Sequence, residues 1–242
     1  MPLSASTLFH FTNKKNILSI LNNCFRVFYC KETLEFYEHG DKHPFLAPMV
    51  SFCDLPLSEA KDHISSYGKY GIGLSKEWGV NNKLNPVLYL SQNSTLSISF
   101  VEAFNRAHSN STTEEQKAMR DIFRYIKNYE GEPPPKKKSL PVYRYSDERE
   151  WRYVPEYSTE FINLVGSNDL DKQKYNAEIA HLRLNFEPKD IRYLIISKDS
   201  EIPQFIKHIR KLDQAKGGKY PSRDIDHLTT RILTVEQIKG DM

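Results

Sequence analysis

The sequence has few cysteines and no long apolar run, and both facts exclude classes of protein. Its 242 residues include only three cysteines, Cys24, Cys30 and Cys53, with no CxxC pair among them. We therefore expect neither a disulfide framework nor a thiolate zinc site, and no bound metal. Nowhere do eighteen uninterrupted apolar residues occur, and the first eleven residues lack the basic and apolar regions of a signal peptide. These absences predict a soluble protein of the reducing cytosol, with no membrane partner.

The motifs of several common enzyme classes are also missing. The glycines around residue 70 lack the GxxxxGK[ST] spacing of a phosphate-binding loop, and neither HExxH nor GxSxG occurs. ATP hydrolysis, metal-assisted hydrolysis and serine hydrolysis are therefore poor interpretations of this chain.

The composition that is present indicates a globular protein. Apolar residues make up 39% of the chain and aromatic residues 12%, which is enough for a packed core, while 27% of the residues are charged. The length suits one large domain, and neither an internal repeat nor a clear boundary interrupts it. We expect a single domain over residues 1–242, with a core at 7–156 and C-terminal elements at 157–242.

Basic residues are concentrated in two stretches. Three prolines precede Lys136, Lys137 and Lys138, and the second stretch contains Lys207, His208, Arg210, Lys211, Lys216 and Lys219. A net charge of +3 is too small to establish nucleic-acid binding by itself. The simpler interpretation is a solvated loop and a solvated helix face, and the alternative is attraction of phosphate groups.

Hydrophobic patterning predicts both strands and helices. Leu8 to Phe11 favours a strand, and Thr12 and Asn13 supply a cap for a helix over residues 14–22. Further strands are predicted at 25–29, 49–55, 67–74, 86–91, 151–154, 181–186, 191–196 and 233–238. Further helices are predicted at 59–65, 76–80 and 203–212, with two more between 95 and 129.

Two segments place polar residues among strand-forming ones. His10 and Thr12 end the first strand, where a structural hydrogen bond and a helix cap explain them as well as a function does. Tyr67 and Tyr70 flank glycines that would let a backbone approach a flat ring. Core packing of both tyrosines is the alternative.

The third segment, DEREWRYV, carries the strongest signal. If it is a strand, Glu148, Glu150 and Arg152 share one face, because successive side chains point to opposite faces. Two carboxylates and a cation then lie in a row. The alternative is a solvent-facing edge strand whose charges cancel.

Taken together, three stretches resemble the AbiGi family of abortive-infection proteins, and more distantly the DarT-type and other His-Tyr-Glu ADP-ribosyltransferases. They are LFHFTNKKNILSIL, MVSFCDLPLSEAKDHISSYGKYGIGLSKEW with NPVLY, and DEREWRYVPE. The resemblance implies an α+β fold with an ADP-ribosyltransferase-like core of two small sheets that form a cleft, with helical insertions.

The resemblance also implies roles for individual residues toward NAD as substrate. Glu150 would be the catalytic glutamate, stabilising an oxocarbenium-like state, and Glu148 would orient the acceptor. His10 would bind the ribose, and Tyr70, or else Tyr67, would stack on nicotinamide. The remaining NAD-binding residues would be Thr12, Asn13 and Arg152.

Two functions from different classes follow from these observations. The first is an ADP-ribosyltransferase that modifies a macromolecule, RNA or DNA before protein, as a toxin-like effector of anti-phage defence restrained by a cognate antitoxin. The alternative is a non-catalytic antitoxin or immunity protein that binds a cognate toxin with the same fold.

Overall fold

The computed structural model describes residues 5–36, 41–110, 113–133, 141–156, 169–215 and 220–241. Within these ranges the chain is α+β, as predicted. It divides into two compact units. Unit 1 comprises Met1–Arg26, Ser51–Leu84 and Arg183–Met242, and unit 2 comprises Val27–Val50 and Asn85–Leu182. That residues 1–242 form one domain stays a prediction.

The elements follow one another along the chain as short strands and helices. The strands are β1 Thr7–Thr12, β2 Phe25–Arg26, β3 Phe28–Phe36, β4 Asp41–Cys53, β5 Tyr70–Ser75, β6 Asn85–Pro86, β7 Leu88–Leu90, β8 Ile126–Asn128, β9 Glu130–Gly131, β10 Tyr143–Arg144, β11 Glu150–Tyr153, β12 Arg183–Leu184, β13 Ile191–Ile196 and β14 Ile232–Thr234. The helices are α1 Lys14–Asn23, α2 Ala60–Tyr67, α3 Lys76–Asn81, α4 Thr95–Asn110, α5 Thr113–Phe123, α6 Asp169–Glu178, α7 Ile202–Ala215, α8 Ser222–Thr229 and α9 Val235–Asp241.

The sheet of unit 1 has the strand order β14-β13-β5-β1. Strand β5 is antiparallel to both β1 and β13, and β13 is parallel to β14. In β1, Phe9 is also paired with Cys53 at the end of β4. One face of this sheet packs in an apolar core that includes Phe9, Phe11, Ile64 and Ile195.

Two glycines of β5 let aromatic side chains of the neighbouring strand lie over its backbone. A Cβ at Gly71 would lie 2.9 Å from Cδ1 of Phe11, and one at Gly73 would lie 2.7 Å from Cε1 of Phe9. The sequence predicted a backbone that something approaches closely. In the structure the approaching rings belong to the protein itself.

Unit 2 is built around a long hairpin and the strand beside it. Strands β3 and β4 pair in antiparallel register from Phe28 opposite Met49 to Phe36 opposite Asp41. Strand β4 is followed in the sheet by β11, which pairs with β6. The core of this unit includes Phe45 and Phe123, whose rings meet edge to face at 4.7 Å.

Several predicted elements differ from the structure. The predicted last strand at 233–238 is confirmed only at its start: β14 ends at Thr234, and α9 begins at Val235. The helical region predicted up to residue 129 ends at Phe123, and β8 follows. The basic loop with Lys136, Lys137 and Lys138 lies outside the described residues, as do Lys216 and Lys219.

Candidate functional site

In unit 2, β11 carries its charged residues on its buried face. Glu150 is 6% exposed and Arg152 is fully buried. Alternation along the strand places both on one face, as predicted. The alternative of a solvent-facing edge strand is wrong, because β11 lies between β4 and β6.

Lys127 and Arg152 bind the carboxylate of Glu150 between them. Nζ of Lys127 lies 2.7 Å from Oε2 of Glu150, and Nε of Arg152 donates to Oε1 at 2.7 Å. The Arg152 guanidinium also lies 3.2 Å from Glu32. We call Glu32, Lys127, Glu148, Glu150 and Arg152 the charge cluster. It has three carboxylates and two cations, and each member is paired with at least one opposite charge, as buried charges generally are.

Glu148 belongs to the charge cluster but does not lie on the predicted strand. It ends a short 3-10 helix, Tyr145–Glu148, and Arg149 turns the chain with a positive φ of 46° before β11 begins. The Glu148 carboxylate nevertheless meets the same lysine, at 2.7 Å from Lys127 Nζ, and accepts a hydrogen bond from the hydroxyl of Tyr143 at 3.0 Å. The expectation that both carboxylates serve one place is therefore met through Lys127, although Glu148 does not lie on the strand.

The charges within the cluster favour the ionised forms of Glu150 and Lys127. Burial alone would raise the pKa of Glu150, but Arg152 and Lys127, through charge and hydrogen bonds, outweigh it and hold that pKa well below its ordinary value of 4.5. Burial opposes the charge of Lys127, yet Glu150, Glu32 and Glu148 raise its pKa well above the ordinary value. Both oxygens of Glu150 are therefore engaged by cations of the protein itself.

Cys30 lies beside the charge cluster and holds its proton tightly. Burial, followed by the nearby charge of Glu32, raises its pKa to about 11. Since the thiolate is the reactive form, this thiol is less reactive at neutral pH than an ordinary cysteine.

In unit 1, His10 makes a structural hydrogen bond. Its Nδ1 donates to the backbone carbonyl of Ser51 at 2.9 Å, and its ring packs against Phe25 and Phe52. Burial lowers the pKa of His10, and the hydrogen bond to Ser51 only partly opposes this. The geometry matches the simpler of the two interpretations that the sequence allowed.

Tyr70 is bound through its hydroxyl to a residue that the sequence did not point to. The hydroxyl donates to the Glu201 carboxylate, at 2.9 and 3.0 Å from its two oxygens, and Lys14 Nζ lies 2.7 Å from the same carboxylate. Burial and Glu201 raise the pKa of Tyr70 to about 12. Its ring stacks on Phe205 of α7. Tyr67 is exposed and contacts the ring of His63, so core packing does not describe it.

The predicted cap of α1 is confirmed at Asn13. The Asn13 side chain accepts a hydrogen bond from the backbone N–H of Asn16 at 2.9 Å, and Thr12 Oγ1 accepts from the Asn16 side chain at 3.1 Å. This satisfies a donor that a helix start otherwise leaves unpaired.

The predicted site residues therefore fall into two sets. Glu148, Glu150 and Arg152 belong to the charge cluster of unit 2, whereas His10, Thr12, Asn13, Tyr67 and Tyr70 belong to unit 1. Pairing of β1 with β5 places Thr12 opposite Tyr70. In the part of the chain that the structure describes, no group of three or more His, Cys, Asp or Glu side chains could hold a metal ion. None of the described helices is long and apolar enough to cross a membrane.

Comparison with known proteins identifies relatives of the chain. A family model described as "Putative abortive phage resistance protein AbiGi, antitoxin" matches residues 23–197. The abortive phage resistance protein AbiGi of Lactococcus lactis subsp. cremoris is 28% identical over 247 aligned residues, which cover 88% of this chain and 97% of that protein. No solved structure matches.

These relatives correct one prediction and confirm another. The prediction of an NAD-dependent ADP-ribosyltransferase was wrong, because the matching family is described as an antitoxin. NAD as a substrate stays an untested prediction, and no finding supports a nucleic-acid acceptor. The resemblance to AbiGi is confirmed: since the model matches well over half of the chain, this protein belongs to the AbiGi family.

Proposed function

We propose that this protein is a non-catalytic antitoxin of an abortive phage-resistance system, and that it acts by binding a cognate toxin protein. The observation that carries the proposal is the match of residues 23–197 to a family described as an antitoxin. The name of the Lactococcus relative supports the link to phage resistance.

The contacts of the predicted catalytic residues support a role without turnover. Both oxygens of Glu150 are bound by Lys127 and Arg152, the hydroxyl of Tyr70 is bound by Glu201, and His10 is bonded to the Ser51 backbone. Such contacts stabilise a scaffold and leave these groups engaged inside the protein. An ADP-ribosyltransferase-like core would then serve as a binding fold.

Unit 2 has exposed leucines at which toxin binding can be tested. Leu96 on α4 is 64% exposed and Leu88 on β7 is 50% exposed. Single exposed apolar residues are ordinary on a protein surface, and only a contiguous patch is typical of a contact surface. Substitution of Leu88 and Leu96 tests whether these two side chains take part in toxin binding.

Growth rescue tests the proposal. The protein and the product of the gene adjacent to its own are expressed from separate inducible promoters, and growth is followed as each is induced. An antitoxin restores growth that the adjacent gene product arrests. Leu88→Asp together with Leu96→Asp should abolish rescue, because a charge in an apolar contact is costly.

Val80→Asp is the matched control, since Val80 is 62% exposed but lies in unit 1. It should leave rescue intact. If neither gene product affects growth, or if toxicity persists at every level of the antitoxin, the proposed function is contradicted.

A further inference from the structure

Unit 1 contains an open cleft that the proposed function does not use. Its volume is about 400 Å³, and its walls come from the end of α1, from α3 and from the chain around residues 185–190. Sites for small molecules have volumes of roughly 300–1,000 Å³. The cleft is therefore large enough for a small ligand or for one long side chain of a partner.

The polar wall of the cleft is acidic. Glu187 and Asp190 supply two carboxylates, and Asn82 and Asn185 supply two amides, and among the described residues that line the cleft none is a lysine, arginine or histidine. Asp190 is held in place, because it accepts a hydrogen bond from the Glu187 backbone at 2.8 Å. Lys189 lies 2.8 Å from the Glu187 carboxylate, but both side chains are exposed, and exposed ion pairs are weak enough for another cation to compete.

A buried tryptophan also borders the cleft. Trp78 is only 5% exposed, its ring packs against Phe25 and Phe52, and its indole N–H donates to the Asn185 carbonyl at 3.0 Å. The Asn82 amide donates to the Trp78 carbonyl at 2.9 Å. This wall is therefore held in place by contacts within the protein.

A small apolar recess adjoins the cleft and shares Cys24, Phe186 and Tyr220 with it. The remaining lining of the recess is apolar and includes Leu21 and Leu228. With about 20 Å³ of free space it has room for no more than the start of an aliphatic chain.

The backbone is strained where the cleft and the recess meet. Cys24 has φ 60° and ψ −176°, a conformation that is almost confined to glycine. Surrounding structure must hold a cysteine in it, and such residues cluster at functional sites.

We propose that this cleft binds an organic cation, an ammonium or guanidinium group on a short aliphatic stem. The charged group is bound by the carboxylates of Glu187 and Asp190, and the stem points toward the recess. The same chemistry is found in a free amine and in a lysine or arginine of a partner chain. The inference does not depend on the antitoxin role.

Titration of the full-length protein with n-butylamine and with N-acetyl-Ala-Arg-Ala-amide tests the proposal. Binding is followed by calorimetry and by Trp78 fluorescence in a Trp151→Phe background, with pentanoate as the anionic control. Both cations, or one of them, should bind, and pentanoate should not. Tighter binding of n-butylamine assigns the site to a free amine, and tighter binding of the peptide assigns it to a side chain.

Glu187→Gln with Asp190→Asn removes the charges and keeps hydrogen-bond acceptors at both positions. It should weaken binding by about tenfold or more, whereas Glu59→Gln, at an exposed carboxylate elsewhere in unit 1, should not. Equal binding by the double variant, or no binding of either cation up to about 10 mM, would overturn the proposal.

Alkylation of Cys24 gives a second measurement that needs no change in the acidic wall. In a Cys30→Ser background, n-butylamine should slow the reaction of Cys24 with a maleimide, because the thiol lines the cleft. Unchanged alkylation at saturating n-butylamine would contradict binding at this place.

Discussion

Arg152 donates Nε to the Glu150 carboxylate at 2.7 Å, and both side chains are buried in unit 2. The two residues lie two positions apart on one face of β11, and Lys127 meets the same carboxylate. A buried charge without its partner is far more costly than an intact pair. The stability of the protein should therefore depend on each member of this cluster.

Replacing Glu150 by Gln should be strongly destabilising. The change replaces the carboxylate shared by Lys127 and Arg152 with a neutral amide, while Glu148 and Glu32 still face these two cations. The loss is that of hydrogen bonds between charged groups, about 1.5–3 kcal/mol of the free energy of unfolding. Urea unfolding followed by circular dichroism measures it. The control Glu130→Gln, at an exposed position of the same unit, should change the free energy by less than about 0.5 kcal/mol. Equal effects of the two substitutions would show that the cluster is not stabilising.

Stability should also fall in acid because of Glu150. Its pKa in the folded protein is depressed below the ordinary value of 4.5, so the folded state binds fewer protons than the unfolded state below that pH. The contribution is then fully present above about pH 4.5 and is lost as pH falls through the depressed pKa. Urea midpoints measured from pH 7 to pH 3 should show this decline, and Glu150→Gln should reduce its slope. A slope that the substitution leaves unchanged would assign acid sensitivity to other carboxylates.

Much of the fold could be predicted because local signals agreed with it. Strand β13 spans Ile191–Ile196 as the apolar run predicted, and Asn13 caps α1. The charge cluster could be predicted only in part. Glu150 and Arg152 follow from alternation, but Lys127 lies in β8, a strand that begins three residues after the last residue of a helix with a similar apolar pattern. A strand this short forms because it pairs with β7, and sequence periodicity does not reveal that pairing.

Two glycine substitutions should act in opposite directions. Gly73→Ala places a Cβ 2.7 Å from the ring of Phe9, and overpacking of this kind typically costs about 1–3 kcal/mol. Gly240→Ala in α9 meets nothing within 4 Å, so better helix propensity should stabilise the protein by up to about 1 kcal/mol. Thermal unfolding of both variants measures the difference. A neutral result for Gly73→Ala would mean that β1 and β5 are packed less closely than described.

Removing the hydroxyl of Tyr70 should cost a modest amount of stability. Tyr70→Phe deletes the hydrogen bonds to Glu201, and one such bond contributes about 0.5–1.5 kcal/mol, or somewhat more to a charged acceptor. Tyr193→Phe is the matched control, since its ring stacks on Phe9 and its hydroxyl has no partner among the described residues. Chemical denaturation should separate the two variants. If both are neutral, Glu201 does not depend on Tyr70 for its position.

The hydrogen bond between Tyr70 and Glu201 could not be predicted from the sequence. It lies 131 positions away from Tyr70, in a short helical turn before α7. No local pattern links the two residues, and only the pairing of β5 with β13 brings the segments together. The pairing of β5 with β1 explains why glycines predicted to admit a ligand ring instead accommodate Phe9 and Phe11.

The most direct test of the antitoxin account is the binding stoichiometry of the purified protein and its toxin. Calorimetry, together with the mass of the complex by light scattering, should show a fixed ratio without added NAD, and growth rescue in cells should require the antitoxin at that ratio or above. Rescue by far less antitoxin than toxin, with no complex detected at about 100 μM of each protein, would contradict binding as the mechanism.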